Sequence, residues 1–159
     1  MRRLALVLVL TLIAAPALAA SRITEPAVRA FVARQEQAWN AGDLKAYFAG
    51  FTAQARFTDQ AYVGDKPPVL YGVSTRAEAK AQAMKARARG GSREAARIVR
   101  IAIAADGQSA TVRMVVGSRV VQDGRSRRMC ASRTLDLTLD AGVLKGGDQT
   151  DTYVKCRGG

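Results

Sequence analysis

The residues of this chain that could do chemistry are carboxylates, tyrosines, lysines and arginines. The 159 residues include no histidine, so nucleophiles activated by a histidine base and zinc sites with histidine ligands are excluded. Two cysteines alone cannot complete a thiolate metal site, and the sequence contains no glycine-rich phosphate-binding loop. We therefore expect no metal and no cofactor, and any catalysis must rest on the remaining polar side chains.

Gln35 stands out as a polar side chain on an otherwise apolar helical face. Apolar residues recur at helical spacing from Val28 through Phe31 and Val32 to Trp39, and Gln35 lies in the same stripe. A buried amide without a partner costs roughly 1–3 kcal/mol, so Gln35 is expected to face a wet or liganded pocket or to bond a neighbouring backbone group. Trp39 has two interpretations, a core residue or part of a ligand-binding wall.

Further candidate ligand-binding residues belong to a short predicted strand at residues 55–59 and to the sequence after it. Strand alternation places Phe57 and Asp59 on one face, and Phe57 is expected to be buried beside the ligand. Tyr62 and Tyr71 lie in loop-like sequence beyond the strand. We predict that these two tyrosines form the rim of a pocket.

The two cysteines, Cys130 and Cys156, can form only one intramolecular pair, and we predict a disulfide between them. A simple hairpin about Ala141 would place Thr152, rather than Cys156, opposite Cys130. The pairing therefore requires a bulge or a shifted turn, for which the glycine pair at residues 146–147 is the predicted place. Two buried free thiols are the alternative.

The first residues of the chain predict export. Two arginines follow Met1, an apolar run occupies residues 4–15, and Ala17-Leu18-Ala19 supplies the small residues that signal peptidase reads. The run is shorter than the roughly 20 residues needed to span a bilayer. We therefore expect a signal peptide at residues 1–19 and a single domain at residues 20–159, in a periplasmic or secreted location where disulfides form.

Basic residues are concentrated in one segment. The chain has a formal net charge of +12, and residues 76–133 contain fourteen lysines and arginines against four acids. Such a segment attracts anionic partners, and a solvated surface is the alternative interpretation. We predict an anion-binding face for an acidic protein or an anionic envelope lipid, formed by Arg119, Arg125, Arg127 and Arg128. A homodimer through the sheet is a further candidate, and nucleic acid is not expected as a partner of an exported protein.

The elements that must position these residues run from helices to strands. Helical periodicity begins near residue 25, and a later helix is predicted for residues 75–88. Beyond residue 97 the period changes to two, and Asp-Gly pairs at 106–107 and 123–124 mark hairpin turns. Helices first and an antiparallel sheet second predict an α+β fold.

Three parts of the sequence carry a family resemblance: the corner Trp39-Asn40-Ala41-Gly42-Asp43-Leu44, then Phe51, then the strand Ala55-Arg56-Phe57-Thr58-Asp59. Together with the hairpins that follow, they resemble the nuclear transport factor 2-like superfamily. That superfamily includes ketosteroid isomerases, SnoaL-like polyketide cyclases and limonene epoxide hydrolases. The resemblance implies a curved antiparallel sheet wrapped around the long helix, with a conical pocket open at one end.

The resemblance also implies roles for particular residues. Asp59 matches the position of the general-base carboxylate in the isomerase-like members, where partial desolvation would raise its pKa. Gln35 stands where those members carry a tyrosine, and the region of their second donor reads Ser132-Arg133-Thr134-Leu135. The Asp-Arg-Asp arrangement of the epoxide hydrolases is not found. We expect Gln35 and Asp59 to face one common cavity.

Three functions fit these observations. The first is an exported domain that binds a small apolar or amphipathic molecule in a conical pocket. The second is a SnoaL-like enzyme that uses Asp59 as general acid and base, and the third is an interaction module that docks an anionic partner on its basic face. An apolar cavity containing Asp59 would favour the first two, whereas a filled cone with a flat arginine face would favour the third.

Overall fold

Helices precede most of the strands along the chain, as the periodicity predicts. A computed structural model describes residues 22–156, so the predicted signal peptide at 1–19 lies outside the described residues. The elements in chain order are α1 (Glu25–Ala41), α2 (Leu44–Ala49), β1 (Arg56–Ala61), β2 (Val69–Thr75), α3 (Arg76–Ala88), β3 (Gly90–Ile103), β4 (Ser109–Gln122), β5 (Arg125–Asp140) and β6 (Val143–Val154). None of the three helices in this range is both long and apolar enough to cross a bilayer.

The six strands form one sheet in the order β2-β1-β6-β5-β4-β3. All neighbours are antiparallel except β1 and β6, which run parallel, so the prediction of an antiparallel sheet is wrong for this pair. The reason is the path of the chain. Helix α3 carries the chain from β2 at one edge to β3 at the opposite edge, and the meander from β3 to β6 then returns to the side of β1.

Strand β2 was not predicted, because its residues show no alternation between buried and exposed positions. Six of its seven residues are exposed, as expected of an edge strand with no layer packed over most of it. The helix that follows was predicted closely. Thr75 caps α3 through a capping box, in which its hydroxyl accepts from the backbone N–H of Glu78 and the Glu78 carboxylate accepts from Thr75.

The corner after α1 has the predicted conformation and fixes the helix to the sheet. Gly42 has a φ of 77° and Asp43 caps α2 by accepting from the backbone N–H of Ala46 at 2.8 Å. Asn40 reaches across to β3, where its side chain donates to the carbonyl of Glu94 and accepts from the backbone N–H of Glu94, both at 2.8 Å. The end of α1 is thereby fixed beside residue 94.

The Cys130–Cys156 disulfide is present, with the two Cα atoms 5.2 Å apart. The predicted bulge between β5 and β6 is also present, one residue later than expected, where residues 147–148 face Asp136 alone. The turn pairs Asp140 with Val143, which moves the partner of Cys130 from Thr152 to Tyr153, and the extra residue of the bulge moves it to Val154. Cys156, just beyond the strand, is then within reach of Cys130.

An aromatic cluster joins α2 to the sheet. The ring of Phe51 lies 5.4 Å from that of Tyr47 and 4.8 Å from that of Phe57, measured between centroids. Gly146 on β6 leaves room for this ring, because a Cβ atom there would lie 2.5 Å from the Cδ1 atom of Phe51. The segment after α2 can therefore dock directly on β6, where the Thr52 N–H donates to the Gly146 carbonyl at 2.8 Å.

Candidate functional site

A cavity of about 310 Å³ lies between the inner face of the sheet, the aromatic side chains of α1 and α2, and helix α3. One side is aromatic, with Trp39, Tyr47, Phe48 and Phe57. The facing side of α3 contributes small apolar residues such as Ala83. The sheet contributes the charged groups, which are described below. The cavity therefore combines an apolar wall with a polar floor, as small-molecule sites commonly do.

Arg133 is the centre of the polar floor. Its Nε and Nη2 atoms donate to the two carboxylate oxygens of Asp151 at 2.7 and 2.8 Å, and Nη1 donates to Oε2 of Glu94 at 3.1 Å. The three side chains are only 11–14% exposed. Burial alone would lower the pKa of Arg133, but the two carboxylates outweigh it and hold that pKa well above its ordinary value. The guanidinium is therefore permanently charged and firmly oriented.

The polar floor continues from Asp151 to the aromatic wall. Gln149 donates to Oδ2 of Asp151 at 3.3 Å, and the Tyr47 hydroxyl donates to Oε1 of Gln149 at 3.3 Å. Burial raises the pKa of Tyr47 far above its ordinary value, partly offset by the charge of Arg133. Tyr47 is therefore a neutral hydrogen-bond donor and not a proton source at physiological pH.

Asp59 lines the same cavity from β1, next to Asp151 in the parallel register. Its Oδ1 atom accepts a hydrogen bond of 3.0 Å from the Tyr153 hydroxyl. Burial raises the pKa of Asp59, the Tyr153 hydrogen bond opposes this, and the charge of Asp151 raises it further. Because the folded-state pKa is raised, the stability linked to Asp59 is complete below an ordinary aspartate pKa and is lost as pH rises through the raised one.

The structure brings together three of the predicted site residues. Asp59, Trp39 and Phe57 all line the cavity, and the indole Nε1 of Trp39 donates to the Ser92 hydroxyl at 3.1 Å. Whether these residues bind a ligand remains a prediction.

Tyr62 and Tyr71 do not form the rim of this cavity, contrary to expectation. They are 55% and 65% exposed. Tyr71 belongs to the exposed edge strand β2, and Tyr62 lies just beyond the end of β1. The phenols that line the cavity are those of Tyr47 on α2 and Tyr153 on β6.

Gln35 is also outside the cavity that Asp59 lines, so the prediction of one shared cavity is wrong. Its side chain faces a separate space of about 20 Å³ bordered by Trp39 and Arg133. This volume is too small for a ligand and about the size of one water molecule. The Oε1 atom is buried and has no hydrogen-bond partner among residues 22–156. Trp39, Tyr47 and the Arg133 cluster separate the two spaces.

Replacing Gln35 by leucine is expected to raise the free energy of unfolding by about 1 kcal/mol, because a buried acceptor without a partner is removed. Urea denaturation of the purified protein measures the change. Gln37→Leu is the matched control, since Gln37 is exposed on the same helix and its replacement should change stability by less than about 0.5 kcal/mol. A Gln35→Leu variant less stable than wild type would show that the amide has a partner.

Sequence reasoning missed the residues of the polar floor. Arg133 was counted with the basic segment, yet it alternates in phase with the buried Ala131, Leu135 and Leu137 on β5. A charged residue in phase with apolar ones is the signal that could have identified it. Its partners Glu94 and Asp151 lie on β3 and β6, 39 and 18 residues away in the sequence. No local sequence pattern therefore indicates that they pair with Arg133.

The predicted anion-binding arginines are exposed but divided by strand alternation. Arg119 and Arg128 lie opposite each other on β4 and β5. Arg93 on β3 lies opposite Arg119 and extends the row across three strands. Arg127, in contrast, lies opposite Val120, which lines the cavity. The anionic partner remains a prediction.

Comparison with known proteins identifies the fold. No family model matches the chain, and no curated protein matches its sequence. Among solved structures, it is similar to a ketosteroid isomerase-like protein from Erwinia carotovora atroseptica, with a TM-score of 0.65 and 13% identity over 82% of this chain and 96% of that one. It is also similar to the beta subunit of benzoate 1,2-dioxygenase from Burkholderia mallei, with a TM-score of 0.62 and 14% identity over 83% and 91%.

A third similar structure is a nuclear transport factor 2-like protein of unknown function from Shewanella oneidensis, with a TM-score of 0.57 and 16% identity over 80% of this chain and 97% of that one. The chain therefore has the nuclear transport factor 2-like fold, also called cystatin-like, and the fold implied by the resemblance of its corner and first strand is confirmed. Identities this low define the fold alone.

Proposed function

We propose that this chain is an exported domain that binds a small apolar or amphipathic molecule in the cavity beside Asp59. The observation that carries the proposal is the cavity of about 310 Å³, with an aromatic wall over a polar floor in which Arg133 is paired with Glu94 and Asp151. A protein that only needed a core would be expected to fill this volume with side chains. The volume is at the lower end of the range typical of small-molecule sites, roughly 300–1,000 Å³.

Two observations support export. The first residues have the pattern of a signal peptide, and the disulfide is of the kind that persists in an oxidising compartment. The fold is one that hosts enzymes, carriers and interaction modules alike, so the proposal rests on the site and not on the fold.

Ligand binding should be measurable through Trp39, because it is the only tryptophan of the chain and lines the cavity. The probe is N-phenyl-1-naphthylamine, a neutral fluorophore that becomes bright in apolar surroundings. Ala83→Phe, which projects a ring from α3 into the cavity, should weaken probe binding at least about tenfold, since the ring and the probe need the same space.

The matched control is Ala81→Phe, because Ala81 is exposed on the same helix. This variant should bind the probe as wild type does, and urea denaturation of both variants shows whether each is folded. Equal probe affinity in folded Ala83→Phe and Ala81→Phe proteins would show that binding does not occur in this cavity.

Proton transfer by Asp59 is the second candidate function. The observation that favours it is the raised pKa of a half-buried carboxylate hydrogen-bonded by Tyr153 inside the cavity. Tyr153 would hold the carboxylate in one orientation, and the apolar wall would hold a carbon acid against it. Deuterium exchange into enolisable ketones, compared between wild type and Asp59→Asn, tests this candidate, and equal exchange by the two proteins would exclude it.

A further inference from the structure

The charge inside the cavity is opposite in sign to that of the chain. Among the described residues that line it, the carboxylates Asp59, Glu94 and Asp151 are accompanied by a single cation, Arg133. The whole sequence, in contrast, has a net charge of +12. The excess of carboxylates is therefore local to the cavity and is not explained by the composition.

Arg133 is not available as a receptor for an anionic ligand. Two carboxylates contact it at 2.7–3.1 Å, and together they more than neutralise its charge. An anionic group entering the cavity would meet a net negative charge and would displace one of these carboxylates from its partner. Leaving either carboxylate unpaired in a buried position is strongly unfavourable.

Asp59 is the carboxylate without a cationic partner. Among residues 22–156 its side chain makes one hydrogen bond, from the neutral hydroxyl of Tyr153, and no ion pair. Asp151 lies next to it in the β1–β6 register, so the two acids face the cavity from adjacent strands. A cation placed beside Asp59 would be attracted to its carboxylate, and it would also reduce the electrostatic repulsion between Asp59 and Asp151.

The aromatic wall of the cavity is suited to the same kind of ligand. The rings of Trp39 and Tyr47 lie 5.0 Å apart, as do those of Tyr47 and Phe48, and all three line the cavity. Aromatic faces attract organic cations by roughly 0.5–2 kcal/mol each. They also bury the apolar part of such a molecule.

We propose that the cavity selects a small organic cation, an amphipathic amine or quaternary ammonium, whose charge lies beside Asp59 and whose apolar body packs on the aromatic wall. The inference rests on the proposed function, because it specifies the ligand class for the same site. It differs from an acid–base role of Asp59, since here the carboxylate acts as a fixed counter-charge.

Three probes of nearly equal shape test the inference: benzyltrimethylammonium is the cation, neopentylbenzene the neutral analogue and phenylmethanesulfonate the anion. Binding is followed by the fluorescence of Trp39. The cation should bind about tenfold or more tightly than the neutral analogue, and the anion should bind most weakly. Asp59→Asn should remove most of the preference for the cation while leaving the affinity of the neutral analogue unchanged.

Asp65→Asn is the matched control, because Asp65 is exposed in the loop between β1 and β2 and its replacement should leave all three affinities unchanged. Equal affinity for cation and neutral analogue, or a preference that survives Asp59→Asn, would overturn the inference. If N-phenyl-1-naphthylamine still binds in that case, the proposed function stands without the cation. Failure of all four probes to bind would overturn both.

Discussion

Replacing Arg133 by alanine is expected to lower the free energy of unfolding by about 3–5 kcal/mol, because it leaves two carboxylates buried without a counter-charge. Glu94 and Asp151 are 14% and 13% exposed and both depend on this guanidinium. Part of this decrease in the free energy of unfolding comes from burying two unpaired carboxylates, and only the remainder from losing the ion pairs. Urea denaturation near neutral pH measures the change.

Two further variants separate these contributions. Arg133→Met combined with Glu94→Gln and Asp151→Asn removes all three charges and should recover much of the lost stability. Arg113→Ala is the control, since Arg113 is exposed on β4 and forms no ion pair within residues 22–156; it should change stability by less than about 0.5 kcal/mol. An Arg133→Ala protein as stable as Arg113→Ala would show that the cluster is not buried as described.

Removing the disulfide by the double substitution Cys130→Ser and Cys156→Ser should lower the free energy of unfolding by about 3 kcal/mol. The bond closes a loop with a sequence separation of 26 residues, and the cross-link restricts the unfolded chain accordingly. Thermal unfolding with and without reductant measures the effect. Reductant should destabilise the wild type and leave the double variant unchanged.

The wild-type protein, purified without reductant, tests export. Secreted protein from bacterial cells should begin at Ala20, which follows the predicted signal peptide, or one residue later at Ser21. It should contain no thiol that reacts after denaturation. Two reactive thiols per chain in the untreated protein would contradict the disulfide. A soluble form that retains Met1 would contradict the signal peptide.

The sequence was sufficient to predict those elements whose signals are local. Gly42 and Asp43 mark a helix end and a helix start by their own conformational and capping preferences. The Asp-Gly pairs likewise mark the hairpins. At the second pair Asp123 and Gly124 both have the positive φ of a two-residue turn, whereas at the first only Gly107 does. Strand β2 could not be predicted in this way, because an exposed edge strand has no buried face to impose alternation.

The candidate site was predicted only in part, because its polar floor depends on contacts between distant residues. Asp59, Trp39 and Phe57 could be placed from periodicity and resemblance. The charge of Arg133 can be buried in the sheet only because Glu94 and Asp151, on other strands, pair with it. Tyr62 and Tyr71 were predicted at the rim because they lie in loop-like sequence after the first strand, but the tyrosines that line the cavity are Tyr47 on α2 and Tyr153 on β6.

Helix α3 lines the cavity without burying any of its own residues completely. Local opening of a segment requires free energy in proportion to the surface and hydrogen bonds that it gives up. Helix α1 buries Val28, Phe31 and Val32. Detaching it would expose far more apolar surface than detaching α3, which contributes mainly alanines to the cavity. Helix α3 is therefore the wall of the cavity that is expected to open locally at the lowest cost in free energy, while the sheet and its disulfide remain intact.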